Sequence, residues 1–281
     1  KKNGGAPRAP RFSRLRRFGR RAEDKQKARG RGIYLLPNAF TTGALFCGFY
    51  AIVMAMNQRF DYACWAVFVA MVLDGLDGRV ARLTNTQSEF GAQYDSLSDM
   101  VSFGAAPALV IYEWSLRGLG KLGWIAAFVY CAGAALRLAR FNTNIEVVDK
   151  RFFQGLPSPA AAALVVGFIM FMTDPDINIS ARQVDWVSWC IAVFAGLTMV
   201  SNVPFYSFKD VNFRKSVPFI VVFLIVLAFA LVASDPTKVL WPIFVLYGLS
   251  GYAVYVLQRA KGKPVSIIPT DDDPIDDTRL R

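Results

Sequence analysis

Eight apolar segments fill most of this 281-residue chain, at about 33–56, 60–84, 89–113, 121–144, 156–173, 186–206, 216–233 and 238–257. Runs of that length and apolarity read as membrane-spanning helices, because a helix satisfies its own backbone where no water is available. The fold class expected is therefore all-α, a polytopic membrane helical bundle. Composition agrees: 54% of residues are hydrophobic and the mean hydropathy is +0.33, which excludes a typical soluble domain. Pro37, Pro107, Pro157, Pro204 and Pro218 fall near the expected helix ends, where a missing backbone donor is easiest to tolerate.

The formal charge of +11 is concentrated at the front: residues 1–31 carry 13 Lys/Arg against only Glu23 and Asp24. This arm is expected to be disordered until it meets anionic lipid. Only Phe12 and Phe18 interleave its cations, so nucleic acid is not the expected partner. The arm is also too long and polar to read as a cleavable signal peptide. With the N-terminus inside, the inner loops hold Lys150, Arg151, Lys209, Arg214, Lys215, Arg259, Lys261 and Lys263. The outer loops hold Arg59, Arg117, Lys121, Arg182 and Lys238. That bias predicts both termini in the cytoplasm, with Glu113, Trp114 and Arg117 blurring the end of the third span. The tail from Arg259, with Asp271, Asp272, Asp273, Asp276 and Asp277, is expected to be flexible. The chain has no His, so His-based acid/base chemistry and His metal ligands are excluded. Cys47, Cys64, Cys131 and Cys190 lie in apolar runs without CxxC spacing and read as buried small hydrophobes. The tryptophans, among them Trp65, Trp114, Trp124, Trp186 and Trp241, read mostly as interfacial anchors.

Against this apolar background stands Asp74-x-x-Asp77-Gly78-x-x-Ala81-Arg82, then eight residues, then Gly91-x-x-x-Asp95-x-x-x-Asp99. An Asp at a helix centre in the bilayer costs on the order of 2.5–3.5 kcal/mol. Four of them call for cations. At about 100° per residue, Asp74, Asp77, Gly78, Ala81 and Arg82 share an arc of roughly 140°, while Gly91, Asp95 and Asp99 form one stripe on the next span. The short link between the spans makes them antiparallel neighbours whose acidic faces can meet. Arg82 lies about 12 Å of rise beyond Asp74, so the cluster is expected near the cytoplasmic boundary.

Four carboxylates carry −4, which two divalent cations would cancel. Oxygen-only ligands select hard ions, Mg²⁺ or Mn²⁺, with Ca²⁺ also admitted. Two such ions side by side suit phosphoryl transfer. Gly78 and Ala81 keep the face open to a bulky ligand, and Arg82 can engage a phosphate. Two blander readings compete: buried salt bridges to Arg79, Arg82, Arg137 and Arg140, or a proton or cation path through an ion-coupled transporter. The completeness of the spacing favours the metal site. The absence of a visible internal repeat speaks against the transporter.

The stretch from Asp74 to Asp99 resembles the signature of the CDP-alcohol phosphotransferases at every defined position. The resemblance implies a six-helix membrane core, usually a homodimer, that holds two divalent metals. Such a core moves a phospho-alcohol from a CDP-linked donor to an acceptor hydroxyl and releases CMP. It implies that Asp74, Asp77, Asp95 and Asp99 are metal ligands and that Asp99 is the general base. Gly78, Ala81 and Arg82 would contact the CDP part, with Asn38, Thr41 and Ser88 as further donor-site positions. The implied division is a basic arm over 1–32, a catalytic core over 33–206, two additional spans over 207–258 and a tail over 259–281.

A narrower likeness, to the family's bacterial membrane-integral phosphatidylserine synthase branch, rests on residues 98–108 (SDMVSFGAAPA), 137–142 (RLARFN) and 153–159 (FQGLPSP). It implies CDP-diacylglycerol as donor, L-serine as acceptor and a bacterial inner membrane, with the site facing the cytoplasm. Serine brings a carboxylate, and Arg137 and Arg140, with Asn142 and Gln154 nearby, form a plausible pocket for it. Equally, these arginines could bind donor phosphate or snorkel to the interface. Glycerol 3-phosphate or an inositol phosphate stands as the rival acceptor, demanding a denser basic pocket. Direct in-line displacement is expected, since the motif holds no Cys or His for a covalent relay, although spacing leaves a carboxylate nucleophile open.

Overall fold

Each of the eight apolar segments carries helix. The computed structural model describes residues 35–84, 86–143, 152–177, 179, 181–206 and 219–260. The basic arm 1–32 lies outside the described residues, as do Lys150, Arg151, Lys209, Arg214, Lys215, Pro218 and the tail beyond 260 with Lys261, Lys263 and its aspartates.

Helix α1 (Leu35–Met56) turns back through Asn57–Arg59 into α2 (Phe60–Thr84). The turn passes through Gln58 at φ 58°, the left-handed region. The two helices lie side by side along their length. Helix α3 (Glu89–Asp99) follows after a short link, starting at Ser88, whose Oγ accepts the Gly91 N–H at 3.0 Å as N-cap. The third span is expected as one helix, but it is broken. After α3 comes a wide π turn over Met100–Ala105, and only then α4 (Ala106–Trp114). Pro107 is the physical reason. It has no N–H for the carbonyls four and five residues before it, and the buried Tyr130 hydroxyl donates instead to the Phe103 carbonyl at 2.9 Å.

Helix α5 (Lys121–Thr143) crosses α7 (Asp185–Val200) where Gly133 meets Gly196; a Cβ on Gly133 would lie 2.4 Å from the Gly196 carbonyl oxygen. Small residues at such a crossing let backbones approach closely. Helix α6 (Ser158–Met172) is buried throughout Ala161 to Met170, as expected of a helix apolar on every side. The sixth span stops at Val200 instead of running to 206. Residues Pro204–Tyr206 (β2) pair antiparallel with Phe152–Gln154 (β1) as a small ribbon. Gly155 turns the chain out of β1 at φ 74°, so close that a Cβ there would lie 2.2 Å from the Met199 carbonyl oxygen.

Helices α8 (Phe219–Ser234) and α9 (Pro236–Ala260) are the last described elements, α9 packing on α6 and on the ribbon. Helices α1, α5 and α9 are long and apolar enough to cross a membrane, and α6 and α7 are shorter apolar helices. Large apolar side chains such as Phe46, Phe128, Leu197 and Leu246 face outward. That suits a lipid-facing surface, and the chain is an all-α integral membrane protein. Two expectations need correction. Cys190 is exposed on α7, whereas Cys64 is buried and Cys47 and Cys131 are half-buried. Trp114 is core, and Trp241 is wedged against Phe168 and Phe171, with ring centroids 5.5 and 4.8 Å away. Trp65, Trp124 and Trp186 stay exposed.

Candidate functional site

The second half of α2 and the acidic face of α3 meet beside α1. Ser98 Oγ donates to the Thr41 carbonyl at 3.1 Å, and Ser102 Oγ, one turn on, to the Ala44 carbonyl at 3.0 Å. A Cβ on Gly48 would come within 2.6 Å of the Ser102 Cα, so α1 lies tight against the π turn. This seam aims the third span. Asp74 of α2 and Asp95 and Asp99 of α3 then each bring one carboxylate oxygen within 4.8 Å of the others.

Asp77, a turn beyond Asp74, is buried and faces α1. Its Oδ2 accepts the Thr41 hydroxyl at 2.7 Å, and it remains an electrostatic neighbour of Asp95. A hydrogen bond to a charged group of this kind is worth about 1.5–3 kcal/mol. Three of the four expected ligands thus converge, and the fourth is tied to α1 beside them.

Among the described residues no ion pair neutralises this group. The ion pairs there are Arg117–Glu113 and those of Lys238 with Asp174, Asp176 and Asp235. Among the described residues no ion pair joins these acids to Arg79, Arg82, Arg137 or Arg140, although Arg137 is close enough to act on Asp99 electrostatically. Asp95 Oδ1 is buried without a hydrogen-bond partner. A buried carboxylate oxygen without a proton donor, beside two more carboxylates and no nitrogen or sulfur ligand, fits a hard divalent cation.

Beside the acids opens a cavity of about 310 Å³, lined by Asn38, Thr41, Asp77, Gly78, Ala81, Arg82, Ser88, Gly91 and Asp95 among others. All six residues expected at a donor site (Asn38, Thr41, Gly78, Ala81, Arg82 and Ser88) line this one cavity. A methyl group on Gly78 would meet only the Arg82 guanidinium, at 3.6 Å, so it would project into the open space. Ser88 has a second task as the N-cap of α3, so the cavity rim and the helix start depend on one hydroxyl. Thr86 and Gln87 also line the cavity. Sequence reasoning missed them, although their place in the α2–α3 link was a usable signal.

The residues expected to hold an acceptor carboxylate take separate partners. Arg137 of α5 is the one beside the acids: it is an electrostatic neighbour of Asp99, its Nη1 donates to Ser158 Oγ at 2.8 Å, and its buried Nε is unpartnered. Arg140 donates to Asn202 Oδ1 at 3.1 Å, and Asn142 Nδ2 donates to Ser96 Oγ at 3.0 Å. Gln154 sits in the ribbon opposite Pro204. Sequence reading also missed Tyr247 of α9, an electrostatic neighbour of Arg137 whose hydroxyl donates to the Tyr206 carbonyl at 3.4 Å. No spacing rule connects residue 247 to residue 137; only the packing of α9 on the ribbon does.

A family model described as CDP-alcohol phosphatidyltransferase matches residues 34–201. The chain is 36% identical over 217 residues to a Helicobacter pylori protein named CDP-diacylglycerol–serine O-phosphatidyltransferase, covering 77% of this chain and 90% of that one. A Mycobacterium bovis protein of the same name is 30% identical over 228 residues, covering 78% and 77% of the two chains. One from Methanocaldococcus jannaschii is 35% identical over 187 residues, covering 66% and 82%.

Proposed function

Because the chain belongs to the CDP-alcohol phosphatidyltransferase family, we propose that it transfers the phosphatidyl group of CDP-diacylglycerol to the hydroxyl of L-serine, giving phosphatidylserine and CMP. The observation that carries this reading is the group Asp74, Asp95 and Asp99, which reaches through Asp95 the cavity lined by Asn38, Thr41, Gly78, Ala81, Arg82 and Ser88. The relatives' shared name supports the donor and the acceptor.

In this reading Asp74, Asp77, Asp95 and Asp99 hold two divalent cations, Mg²⁺ or Mn²⁺, with Ca²⁺ also compatible. When bound, these supply positive charge for the diphosphate and for the leaving phosphate of CMP. The chain's own residues do the rest. Arg82 and the open face at Gly78 and Ala81 seat the diphosphate, while Asn38, Thr41 and Ser88 line the CDP head's side of the cavity. The acyl chains stay in the bilayer. Arg137 supplies the guanidinium nearest Asp99, suited to the serine carboxylate, and Arg140, Asn142 and Gln154 belong to the same side. Asp99 takes the proton from the serine hydroxyl as its oxygen attacks the β-phosphorus in line. The P–O bond to CMP breaks, and the electron pair leaves on the CMP phosphate.

The protein is read as a homodimer in a bacterial inner membrane, with the site and both termini facing the cytoplasm. Its catalytic core is 33–206, flanked by the arm 1–32, the extra spans 207–258 and the tail 259–281. The test is purified protein with CDP-diacylglycerol, Mg²⁺ or Mn²⁺ and a panel of alcohols, measuring CMP. Release with serine alone is expected. Release with glycerol 3-phosphate or an inositol phosphate instead would overturn the acceptor assignment.

A further inference from the structure

The π turn that breaks the third span follows directly on Asp99 and is gripped from the other side by α5. Three observations mark that seam. Tyr130 donates its hydroxyl to the Phe103 carbonyl at 2.9 Å. A Cβ on Gly104 would meet the Ala134 Cβ at 3.2 Å. Arg137 is an electrostatic neighbour of Asp99. Positions 130, 134 and 137 share one face of α5, since they are spaced i, i+4, i+7. Tyr130 is fully buried, as is Phe103.

A π turn holds one more residue than the α-helical turn it replaces, and such turns concentrate at functional sites. Relaxation to ordinary α-helix would rotate what lies on one side of it by about 100° relative to the other. The two sides are not equally free. Helix α4 is anchored in the core through Ala106, Val110, Ile111 and Trp114, whereas α3 has Ser98 as its buried residue. The side that yields is therefore α3, which carries Asp95 and Asp99. Pro107 cannot supply the missing donor, so the Tyr130 hydroxyl holds the turn in its wide form.

We propose that Tyr130 is a positioning residue: by holding the Phe103 carbonyl it fixes the π turn and thereby aims the Asp99 carboxylate at those of Asp74 and Asp95. The inference rests on the reading that Asp99 works in metal-assisted phosphatidyl transfer. It assigns a task to a tyrosine that neither borders the cavity nor belongs to the acidic motif.

The test compares Tyr130→Phe with wild type in three readouts: kcat and donor KM from CMP release, Mn²⁺ affinity by electron paramagnetic resonance titration, and the thermal transition in detergent. A misaimed ligand is expected to lower kcat by about 10²-fold with little change in donor KM. Mn²⁺ affinity is expected to weaken at least about tenfold. Thr198→Val is the control. It removes a buried hydroxyl contact of 2.7 Å between Thr198 and Tyr252, on two helices that carry none of the four aspartates, and should lower the thermal transition without changing kcat. If Tyr130→Phe cannot be recovered folded, Gly104→Ala presses on the same seam at Ala134 and Met100 and should give the same pairing of losses. Wild-type kcat and Mn²⁺ affinity in Tyr130→Phe, or a kcat loss equally present in Thr198→Val, would overturn the inference. If wild type releases no CMP with any acceptor, the reaction assignment falls, while the Mn²⁺ titration still tests the positioning role by itself.

Discussion

Two clusters of carboxylates sit at opposite ends of this bundle and have opposite fates. Helix α6 is the ruler between them: its first residue, Ser158, bonds Arg137 beside Asp99, and Asp174 lies just past its last turn. At the Asp174 end, Lys238 pairs with Asp235 at 3.0 Å, with Asp174 at 3.6 Å and closely with Asp176. Thr237 donates to Asp174 at 2.6 Å and lies 2.9 Å from Asp235. Those acids have found their cation and their donors within the chain, and they tie the start of α9 to the end of α6. At the other end, Asp74, Asp95 and Asp99 converge with no ion-paired cation among the described residues, and Asp95 Oδ1 has no donor among them. Carboxylate number alone does not separate a clasp from a site. What separates them is whether the fold supplies the counter-charge or leaves that to a ligand.

The comparison breaks most sharply at Asp99. Asp99→Asn should cut serine-dependent CMP release by about 10³-fold in a protein that still purifies folded; turnover near wild type would remove Asp99 from the chemistry. Chelation comes next. EDTA should abolish release and Mn²⁺ restore it. A saturating cation should stabilise wild type by about 2.7 kcal/mol at one hundred times its dissociation constant, and so raise its thermal transition. Asp95→Asn should lose that increment, whereas Lys238→Met should keep it, because Lys238 lies at the far end of α6 from the Asp74, Asp95 and Asp99 group.

Arg137→Ala should raise the KM for serine by about 10–100-fold while leaving that for CDP-diacylglycerol alone. An equal rise for both substrates would move Arg137 to the donor side.

The smallest effect belongs to the clasp. The Thr237 hydroxyl bonded to Asp174, and the Lys238 ammonium bonded to Asp235, hold both carboxyls below their ordinary 3.8. A depressed folded value stabilises above the unfolded one and is lost as pH falls through the folded one. The thermal transition should therefore fall at pH below about 3.8 by a margin that Lys238→Met reduces. A margin unchanged by that substitution would show the clasp to be without weight.

Much of this was legible because helices carry their own geometry. The spacing of Asp74, Asp77, Gly78, Ala81 and Arg82, and of Gly91, Asp95 and Asp99, placed each set on one face, and the short link made the faces meet. Even so, Asp77 turned toward Thr41, because the buried hydroxyl on α1 was a partner that no spacing within α2 could reveal. The third span read as one helix, since Pro107 tells of a missing donor but not of the tyrosine on another helix that compensates for it. The sixth span read as six residues too long, since Val203, Pro204 and Phe205 are apolar enough for a helix. Pairing with Phe152–Gln154, which lies far off in the chain, drew Pro204–Tyr206 into a ribbon instead. The acceptor side was least legible. Arg137, Arg140 and Asn142 are sequence neighbours, yet the fold sends them to Ser158, Asn202 and Ser96.

The sequence by itself determined that the chain is an all-α membrane bundle, and it set Asp74, Asp77, Asp95 and Asp99 on helix faces that can meet. Apolar length and helical phase are local properties, and they survive any arrangement of the remaining helices. Only the tertiary structure decided which acids converge, which one is tied down by a hydroxyl, and which arginine lies next to Asp99. Those outcomes depend on contacts between residues 21 to 38 positions apart, on different helices, and such contacts form only when every helix has its neighbour.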